Sequence, residues 1–193
     1  NNLACGEGGA AATDDAEIAG EIRLLRQHGM SKSAAERYTG TYKHWDMIEL
    51  GWKYTMFDIP AALLVNQHDR LDELPARRES VAAQYDAAFA SMPGVSVPEI
   101  RGVSARHLYT VWVEAGRRDA ILHELQQAEI GVAVNYRAIP TLTWLRVHFH
   151  FEDGDFPHAF NIGNRTLSLP LYPGLSSAKQ DYVLVNVERI ANR

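Results

Sequence analysis

The segment from residue 148 to residue 158 is the densest group of side chains in this sequence that could do chemistry. It reads His148-Phe149-His150-Phe151-Glu152-Asp153-Gly154-Asp155-Phe156-Pro157-His158. Imidazole nitrogens and carboxylate oxygens bind transition metals, so a loop folded back on itself could gather three histidines around one ion. The spacing of these histidines matches no compact zinc signature. We therefore expect no metal site in this chain.

Two other reactive groups stand in ordinary surroundings. Cys5 is the only cysteine, and neither His nor Lys lies beside it in sequence to activate its thiol. A single cysteine excludes an internal disulfide and a multi-cysteine zinc site, which fits a reducing cytoplasm. Lys53-Tyr54 falls in a loop, where a lysine is usually solvated. Neither feature by itself assigns a function.

Composition excludes two classes of partner. The 193 residues carry a net charge of -5 without a basic block, whereas binding to nucleic acid phosphates needs clustered Lys and Arg. The longest apolar stretch, Ile59 to Val65, is far shorter than the roughly 20 residues that a membrane span requires. We expect a cytoplasmic protein that binds neither nucleic acid nor membrane.

The periodicity predicts an α/β chain. Asp14 followed by Glu17 is typical of a capping box before a helix that Gly29 ends, and residues 10–13 could form a short buried strand. Helices are predicted over 58–66, over about 71–92 and over 119–129, with a last one opening at Ser177 in a second capping box. Strands are predicted over 95–97, 107–113, 132–136 and 165–169. Residues 30–53 form a long, non-periodic loop of the kind that is usually functional or mobile.

Four ordered blocks carry a resemblance to a known family. They are Asn2-Leu3-Ala4-Cys5-Gly6-Glu7-Gly8-Gly9, Leu24-Leu25-Arg26-Gln27-His28-Gly29-Met30, Glu49-Leu50-Gly51-Trp52-Lys53-Tyr54-Thr55-Met56-Phe57-Asp58-Ile59 and Leu167-Ser168-Leu169-Pro170-Leu171-Tyr172-Pro173. With these blocks the whole chain resembles the C-terminal half of the DegT/DnrJ/StrS family of nucleotide-sugar aminotransferases, which depend on pyridoxal 5'-phosphate (PLP).

The resemblance implies a fold and a reaction. It implies the C-terminal portion of a fold-type I PLP-dependent transferase, with residues 1–70 as the tail of the large PLP-binding domain and residues 71–193 as the small α/β domain. Such enzymes move an amino group from glutamate to a nucleotide-linked keto sugar, work as homodimers, and use a lysine that forms an imine with PLP. The ring-stacking residue, the carboxylate partner of the pyridine nitrogen and the main phosphate turn belong to the family's N-terminal half, so another chain or segment must supply them.

The resemblance also implies roles for individual residues, and here the chain departs from the family. Asn1 occupies the position of the imine-forming lysine, and an amide nitrogen is not nucleophilic. Thr55 stands where the family usually has an asparagine that reaches the PLP phosphate of the neighbouring subunit, and a hydroxyl can still donate one hydrogen bond. The implied substrate-binding residues are Lys53, Tyr54, His107, Asn135, Tyr136 and Arg137.

Two functions therefore stay open on the sequence. The chain could belong to an active sugar aminotransferase, or to a truncated or degenerate relative that keeps a dimerisation or nucleotide-sugar binding surface without catalysis. Asn1, Thr55 and Pro140 favour the second, since the family often has His at the positions of Asn135 and Pro140. A family variant that uses PLP for dehydration carries histidine at the lysine position, so Asn1 does not support it.

Overall fold

The computed structural model describes residues 2–32 and 44–192. Its contacts divide the chain into two compact units, Leu3–Asp69 and the chain from Arg70 onward together with Asn2. The sequence placed a boundary after residue 70, and the roles that the resemblance gives to the two parts stay predictions. No helix in the described part of the chain is both long and apolar enough to cross a membrane.

The first unit contains two helices in its described residues, α1 (Ala16–Leu25) and α2 (Asp58–His68). The N-cap of α1 is Asp15, one residue later than predicted: its carboxylate accepts hydrogen bonds from the backbone N–H groups of Glu17 and Ile18. Residues 10–13, predicted as a strand, form no regular element. Residues 44–53 lie outside helices and strands, as expected for a loop, whereas residues 33–43 of the predicted loop lie outside the described residues.

The second unit contains five helices and one three-stranded sheet within the described residues. The elements in chain order are α3 (Glu73–Phe89), β1 (Val95–Ser96), β2 (Tyr109–Val113), α4 (Arg118–Gln127), α5 (Thr143–Phe149), α6 (Pro157–Gly163), β3 (Thr166–Leu169) and α7 (Ser177–Ala191). A short 3-10 turn, Ile139–Thr141, precedes α5. Helices α5 and α6 and this turn had no counterpart among the predicted elements, because seven or fewer residues show too little periodicity to be recognised.

The sheet is antiparallel with β2 in the centre, and its register fixes which loops meet at each end. Tyr109 pairs with Leu169 and Trp112 with Thr166, so the start of β2 lies beside the end of β3. Val95 pairs with Val113 at the other edge. The predicted strand over 132–136 is wrong: only Ala133 pairs, in an isolated bridge to Ser168. One bridge is too short a ladder to form a strand.

The core lies between the sheet and helices α3, α4 and α7. Its largest fully buried apolar side chains are Tyr85, Tyr109, Ile121, Leu125, Leu167 and Ile190. Helix α7 begins one residue after the N-cap Ser176, whose hydroxyl accepts from the N–H of Lys179, so the predicted cap was again displaced by one residue. The predicted burial of Val183, Val187 and Ile190 is confirmed. Gln180, buried among them, donates from Nε2 to the carbonyl of Val81 at 2.8 Å and ties α7 to α3.

Candidate functional site

In the first unit, the segment Trp52–Thr55 runs beside the end of α1 and is held there by backbone hydrogen bonds. The N–H of Trp52 donates to Leu25 O at 2.7 Å, the N–H of His28 to Trp52 O at 2.9 Å, and the N–H of Tyr54 to Arg26 O at 3.0 Å. The carbonyl oxygens of Leu25 and Arg26 can accept these bonds because α1 ends at Leu25. This short ladder fixes the backbone on which the predicted site residues Lys53, Tyr54 and Thr55 stand.

Two glycines make this ladder sterically possible. A Cβ on Gly51 would lie 2.3 Å from the backbone nitrogen of Gly29 and 2.6 Å from Leu25 O. A Cβ on Gly29 would lie 1.8 Å from Glu49 O, and Gly29 also adopts the left-handed φ of +66°. The family-like blocks around Gly29 and Gly51 are therefore two sides of one close backbone contact.

The side chains of this segment differ in availability. Lys53 and Tyr54 are exposed, and the Tyr54 ring stacks on Trp52 with centroids 5.9 Å apart and planes 7° from parallel. The Thr55 hydroxyl donates to Arg26 O at 3.2 Å. A threonine hydroxyl has one hydrogen to donate, so Thr55 must give up this bond before it can donate to a phosphate.

In the second unit, β3 positions the predicted residues Asn135, Tyr136 and Arg137. The Ser168 N–H donates to Ala133 O at 2.8 Å, and the Thr166 hydroxyl donates to Asn135 O at 3.5 Å. The backbone of Asn135 is thereby anchored, whereas Tyr136 and Arg137 are exposed. Tyr136 and Arg137 therefore provide the accessible surface of this segment, next to the half-buried Asn135.

His107 lies away from that surface. It precedes β2 at the end where Tyr109 pairs with Leu169, whereas Asn135 is anchored to Thr166 at the opposite end of the β2–β3 pair. The three residue steps between those ends span about 10 Å at the rise of an extended strand. The fold of this unit thus separates two groups of residues that the resemblance assigned to one substrate.

A charged network that no local sequence pattern indicated holds the loop before β2. Arg106, with a side chain only 10% exposed, donates to Glu79 at 2.9 Å and to Asp86 at 2.7 Å, and the Tyr109 hydroxyl donates to the other oxygen of Asp86 at 2.7 Å. Burial, and next the hydrogen bond to Asp86, raises the pKa of Tyr109 well above its usual range. Four residues from three parts of the chain are needed, so no local motif could reveal it.

A polar cavity also escaped the sequence analysis. It has a volume of about 410 Å³, it is lined by three arginines, Arg118, Arg137 and Arg146, and it borders the N-terminus of α4. Only Arg137 stood among the predicted site residues. The other two arginines are contributed by different helices, and their spacing in sequence follows no motif.

The histidine-rich segment does not assemble a metal site within the described residues, where no group of three or more His, Cys, Asp or Glu side chains could hold an ion. His148 instead stacks on Trp144, with centroids 4.6 Å apart and planes 14° from parallel. Phe149, Phe151 and Phe156 continue this aromatic cluster through further ring contacts. The segment therefore packs by its rings.

Comparison with known proteins identifies the family. The model of the DegT/DnrJ/EryC1/StrS aminotransferase family matches residues 1–188. The chain belongs to this family. The spore coat polysaccharide biosynthesis protein SpsC of Bacillus subtilis (strain 168) is 39% identical over 197 residues, which cover 98% of this chain and 51% of SpsC. The uncharacterized protein MJ1066 of Methanocaldococcus jannaschii is 33% identical over 199 residues, 99% of this chain and 51% of that protein.

A solved structure of a putative sugar aminotransferase agrees with the fold. The putative sugar aminotransferase Spr1654 from Streptococcus pneumoniae, in its PMP form, superposes with a TM-score of 0.82 at 28% identity, over 95% of this chain and 47% of that structure. This confirms the predicted fold class, a portion of the fold-type I transferase. The chain spans about half the length of the curated relatives it matches.

The residues of this chain do not by themselves fit the PLP that the family implies. Asn1, which the resemblance places at the lysine position, lies outside the described residues, and an amide cannot form the imine. Thr55, which the resemblance places at a phosphate contact, has its only hydroxyl hydrogen bonded to Arg26 O. Of the two positions that the resemblance assigns to the cofactor, residue 1 has no amine to form the imine, and the Thr55 hydroxyl is hydrogen-bonded within the chain.

Proposed function

We propose that this chain is the C-terminal portion of a sugar aminotransferase that moves an amino group from glutamate to a nucleotide-linked keto sugar. The observation that carries the proposal is the family match over residues 1–188, which includes the four sequence blocks. The printed names of SpsC and Spr1654, a polysaccharide biosynthesis protein and a putative sugar aminotransferase, support a sugar as the substrate. Glutamate and the nucleotide are implied by the family resemblance alone.

Within this proposal the chain contributes binding surfaces. Lys53 and Tyr54 are exposed on the ladder beside α1, and Tyr136 and Arg137 are exposed beside β3, so all four can reach a ligand without rearrangement of the core. Asn135 is better suited to shape the backbone, because its carbonyl accepts from Thr166. Amino transfer itself needs a lysine and a pyridine-ring pocket that the described residues do not provide.

We also propose that the first unit binds a second polypeptide surface, either a homodimer partner or the chain that supplies the N-terminal half. Several large apolar side chains in this unit are exposed, among them Phe57 (66%), Ile59 (72%) and Leu63 (56%). A cluster of exposed apolar residues of this kind marks an interaction surface. The expected species is a dimer or larger, and sedimentation showing a compact monomer at micromolar concentration would contradict it.

A second candidate function is supported by the residues that depart from the family pattern, Asn1 above all and also Thr55 and Pro140. If no other residue replaces the lysine, the protein is a degenerate relative that binds a nucleotide sugar or a partner without catalysis. The two candidates differ in what a lysine at residue 1 should do: it should restore amino transfer in an aminotransferase and should not restore it in a degenerate relative. Substitution at that residue separates them.

The test supplies the missing half and then restores the lysine. SpsC is 39% identical to this chain over the part that matches it. The N-terminal half of SpsC is fused to or co-expressed with this chain, with and without Asn1→Lys. We expect Asn1→Lys to retain PLP as a borohydride-fixed pyridoxyl group on residue 1, detected by peptide mass, and to transfer amino groups from glutamate. The unsubstituted fusion, assayed with the same free PLP, measures the background reaction.

Adding Thr55→Asn to the Asn1→Lys fusion refines the test. Because one hydrogen bond to a charged group contributes about 1.5–3 kcal/mol, this change should tighten PLP retention by roughly one to two orders of magnitude and no more. Glu21→Gln serves as the control, since Glu21 is an exposed residue of α1 in the same unit and has no proposed binding role. If the lysine-restored fusion holds PLP and yet aminates none of the keto sugars supplied, the degenerate relative is the correct description.

A further inference from the structure

We propose that a cleft lined by Tyr172 and Tyr182, which we call the tyrosine cleft, binds a free amino acid with an aromatic side chain. The cleft lies in the second unit, between the loop that follows α4, the segment that follows β3 and the N-terminal half of α7. Its volume of about 520 Å³ is within the roughly 300–1,000 Å³ usual for small-molecule sites. The substrate-binding residues that the family resemblance implies are all among the described residues, and none of them lines this cleft.

The interior of the tyrosine cleft suits an aromatic ring. Two buried apolar residues, Ile130 and Val183, line it together with the more exposed Tyr172 and Tyr182. A Cβ on Gly131, which also lines the cleft, would meet no atom within 4 Å, so the space beside this backbone is empty. Aromatic rings pack against apolar and aromatic side chains and bury a large area in doing so. The ring of a ligand therefore has both room and apolar contacts in the cleft.

Two opposite charges line the tyrosine cleft without pairing. Lys179 and Glu129 are both exposed, and neither side chain has a hydrogen-bond or ion-pair partner in the described part of the chain. Lys179 lies three residues before Tyr182 on α7, and therefore on the same face of that helix. The Tyr182 hydroxyl donates to the carbonyl of Ala128 at 3.1 Å, which brings Glu129 next to the hydroxyl end of that ring. The structure thus sets a cation and an anion around the same tyrosine.

This pair of charges determines which ligand fits. A ligand with only a carboxylate would face Glu129 as a like charge, and a ligand with only an amine would face Lys179 in the same way. A zwitterion can pair its carboxylate with Lys179 and its ammonium with Glu129, and an α-amino acid carries both groups at one end. Its aromatic side chain then contacts the apolar part of the cleft, where no further charged group is available to an acidic side chain such as that of glutamate.

The test is a titration of the purified 193-residue chain, followed by the amide resonances of Ile130, Gly131 and Val183. We expect L-phenylalanine to bind and to shift these resonances. L-alanine and L-glutamate keep both charged groups but lack the ring, and they should bind at least about tenfold more weakly. Phenylpropionate lacks the ammonium group and phenethylamine lacks the carboxylate. Each should bind about two- to fivefold more weakly than phenylalanine, because an exposed ion pair contributes little.

Variants of the cleft assign each contact. Glu129→Gln should reduce phenylalanine binding to the level of phenylpropionate, and Lys179→Gln to the level of phenethylamine. Asp181→Asn is the control for charge, since Asp181 is an exposed residue of α7 that does not line the cleft. Gly131→Leu should fill the empty space and prevent phenylalanine from binding. Gly154→Leu is its control, because a Cβ on Gly154 would also meet nothing within 4 Å and Gly154 does not line the cleft.

Phenylalanine binding that is no tighter than alanine binding, or that is equally tight in Gly131→Leu and Gly154→Leu, would overturn the proposal. Equal binding of phenylalanine and phenylpropionate would do the same, because Glu129 would then have no part in it. If Gly131→Leu reduces self-association in sedimentation and leaves phenylalanine binding unchanged, the cleft is a protein contact and the proposal is wrong. Glu129→Gln, a change of nearly equal size at an exposed residue, decides the question if Gly131→Leu does not fold. Neither PLP nor a keto sugar is added, so the result is independent of the proposed amino transfer.

Discussion

Replacing Gly51 by alanine should loosen the ladder that holds Lys53, Tyr54 and Thr55. The new Cβ would lie 2.3 Å from Gly29 N, whereas ordinary contact begins at 3.4 Å, so the two backbones must separate by about 1 Å. Gly51 is not among the glycines with positive φ, and the effect is therefore steric. Overpacking of this kind costs about 1–3 kcal/mol, because the atoms met are backbone and cannot rotate away.

The destabilisation caused by Gly51→Ala should be local and should be measurable as faster amide hydrogen exchange. The amides of His28, Trp52 and Tyr54 donate across the contact, and a penalty of about 1–3 kcal/mol should speed their exchange roughly five- to 150-fold. Exchange in β2, in the other unit, should not change and serves as the internal reference. The matched control is Gly9→Ala in the same unit, where a Cβ would meet nothing within 4 Å.

Unchanged exchange in Gly51→Ala, or an equal acceleration in Gly9→Ala, would refute the steric explanation. The first result would mean that the backbones separate without cost. The second would mean that the unit is loosened by any glycine substitution, since the lower conformational entropy of the unfolded Gly→Ala chain would by itself slow exchange.

Three further changes test the second unit by urea denaturation. Tyr109→Phe removes the hydrogen bond to the Asp86 carboxylate and should cost about 1.5–3 kcal/mol at neutral pH. Because the folded-state pKa of Tyr109 is raised from 10.0, its stabilising contribution is complete below about pH 10 and declines above it, so the variant should also lose less stability between pH 9 and 11. A decline identical to that of the parent chain would show that another group titrates. Gln180→Ala leaves the Val81 carbonyl without its donor and opens a buried space, and it should cost about 1–3 kcal/mol; Gln84→Ala on the exposed face of α3 is its control. Ser176→Ala removes the N-cap of α7 and should cost about 1 kcal/mol, whereas Ser177→Ala, one residue later, should cost little.

The sequence determined the family and the elements that repeat a period over several turns. Helix α7 was predicted with its buried face, since Val183, Val187 and Ile190 recur at helical spacing. Helix α2 was predicted to start at Asp58, with Pro60 tolerated in its first turn. Strand β2 was predicted from its aromatic and β-branched residues, and its alternating burial in the structure follows from the two-residue period. The caps were displaced by one residue, because Asp14 and Asp15, like Ser176 and Ser177, offer two adjacent acceptors and local pattern cannot choose between them.

Tertiary structure alone decided which distant side chains meet. The strand predicted over 132–136 lacked a full partner ladder, and strand formation depends on the neighbour as much as on the residues themselves. The Arg106 network links Arg106 to Asp86, 20 positions away, and the cavity lined by Arg118, Arg137 and Arg146 brings Arg118 to Gly163, 45 positions away. Charged side chains carry no hydrophobic period, so their meeting points follow from the packing of helices and strands and cannot be deduced from spacing. The sequence thus predicted the family, whereas only the packing of the second unit placed Arg118, Arg137 and Arg146 around one cavity.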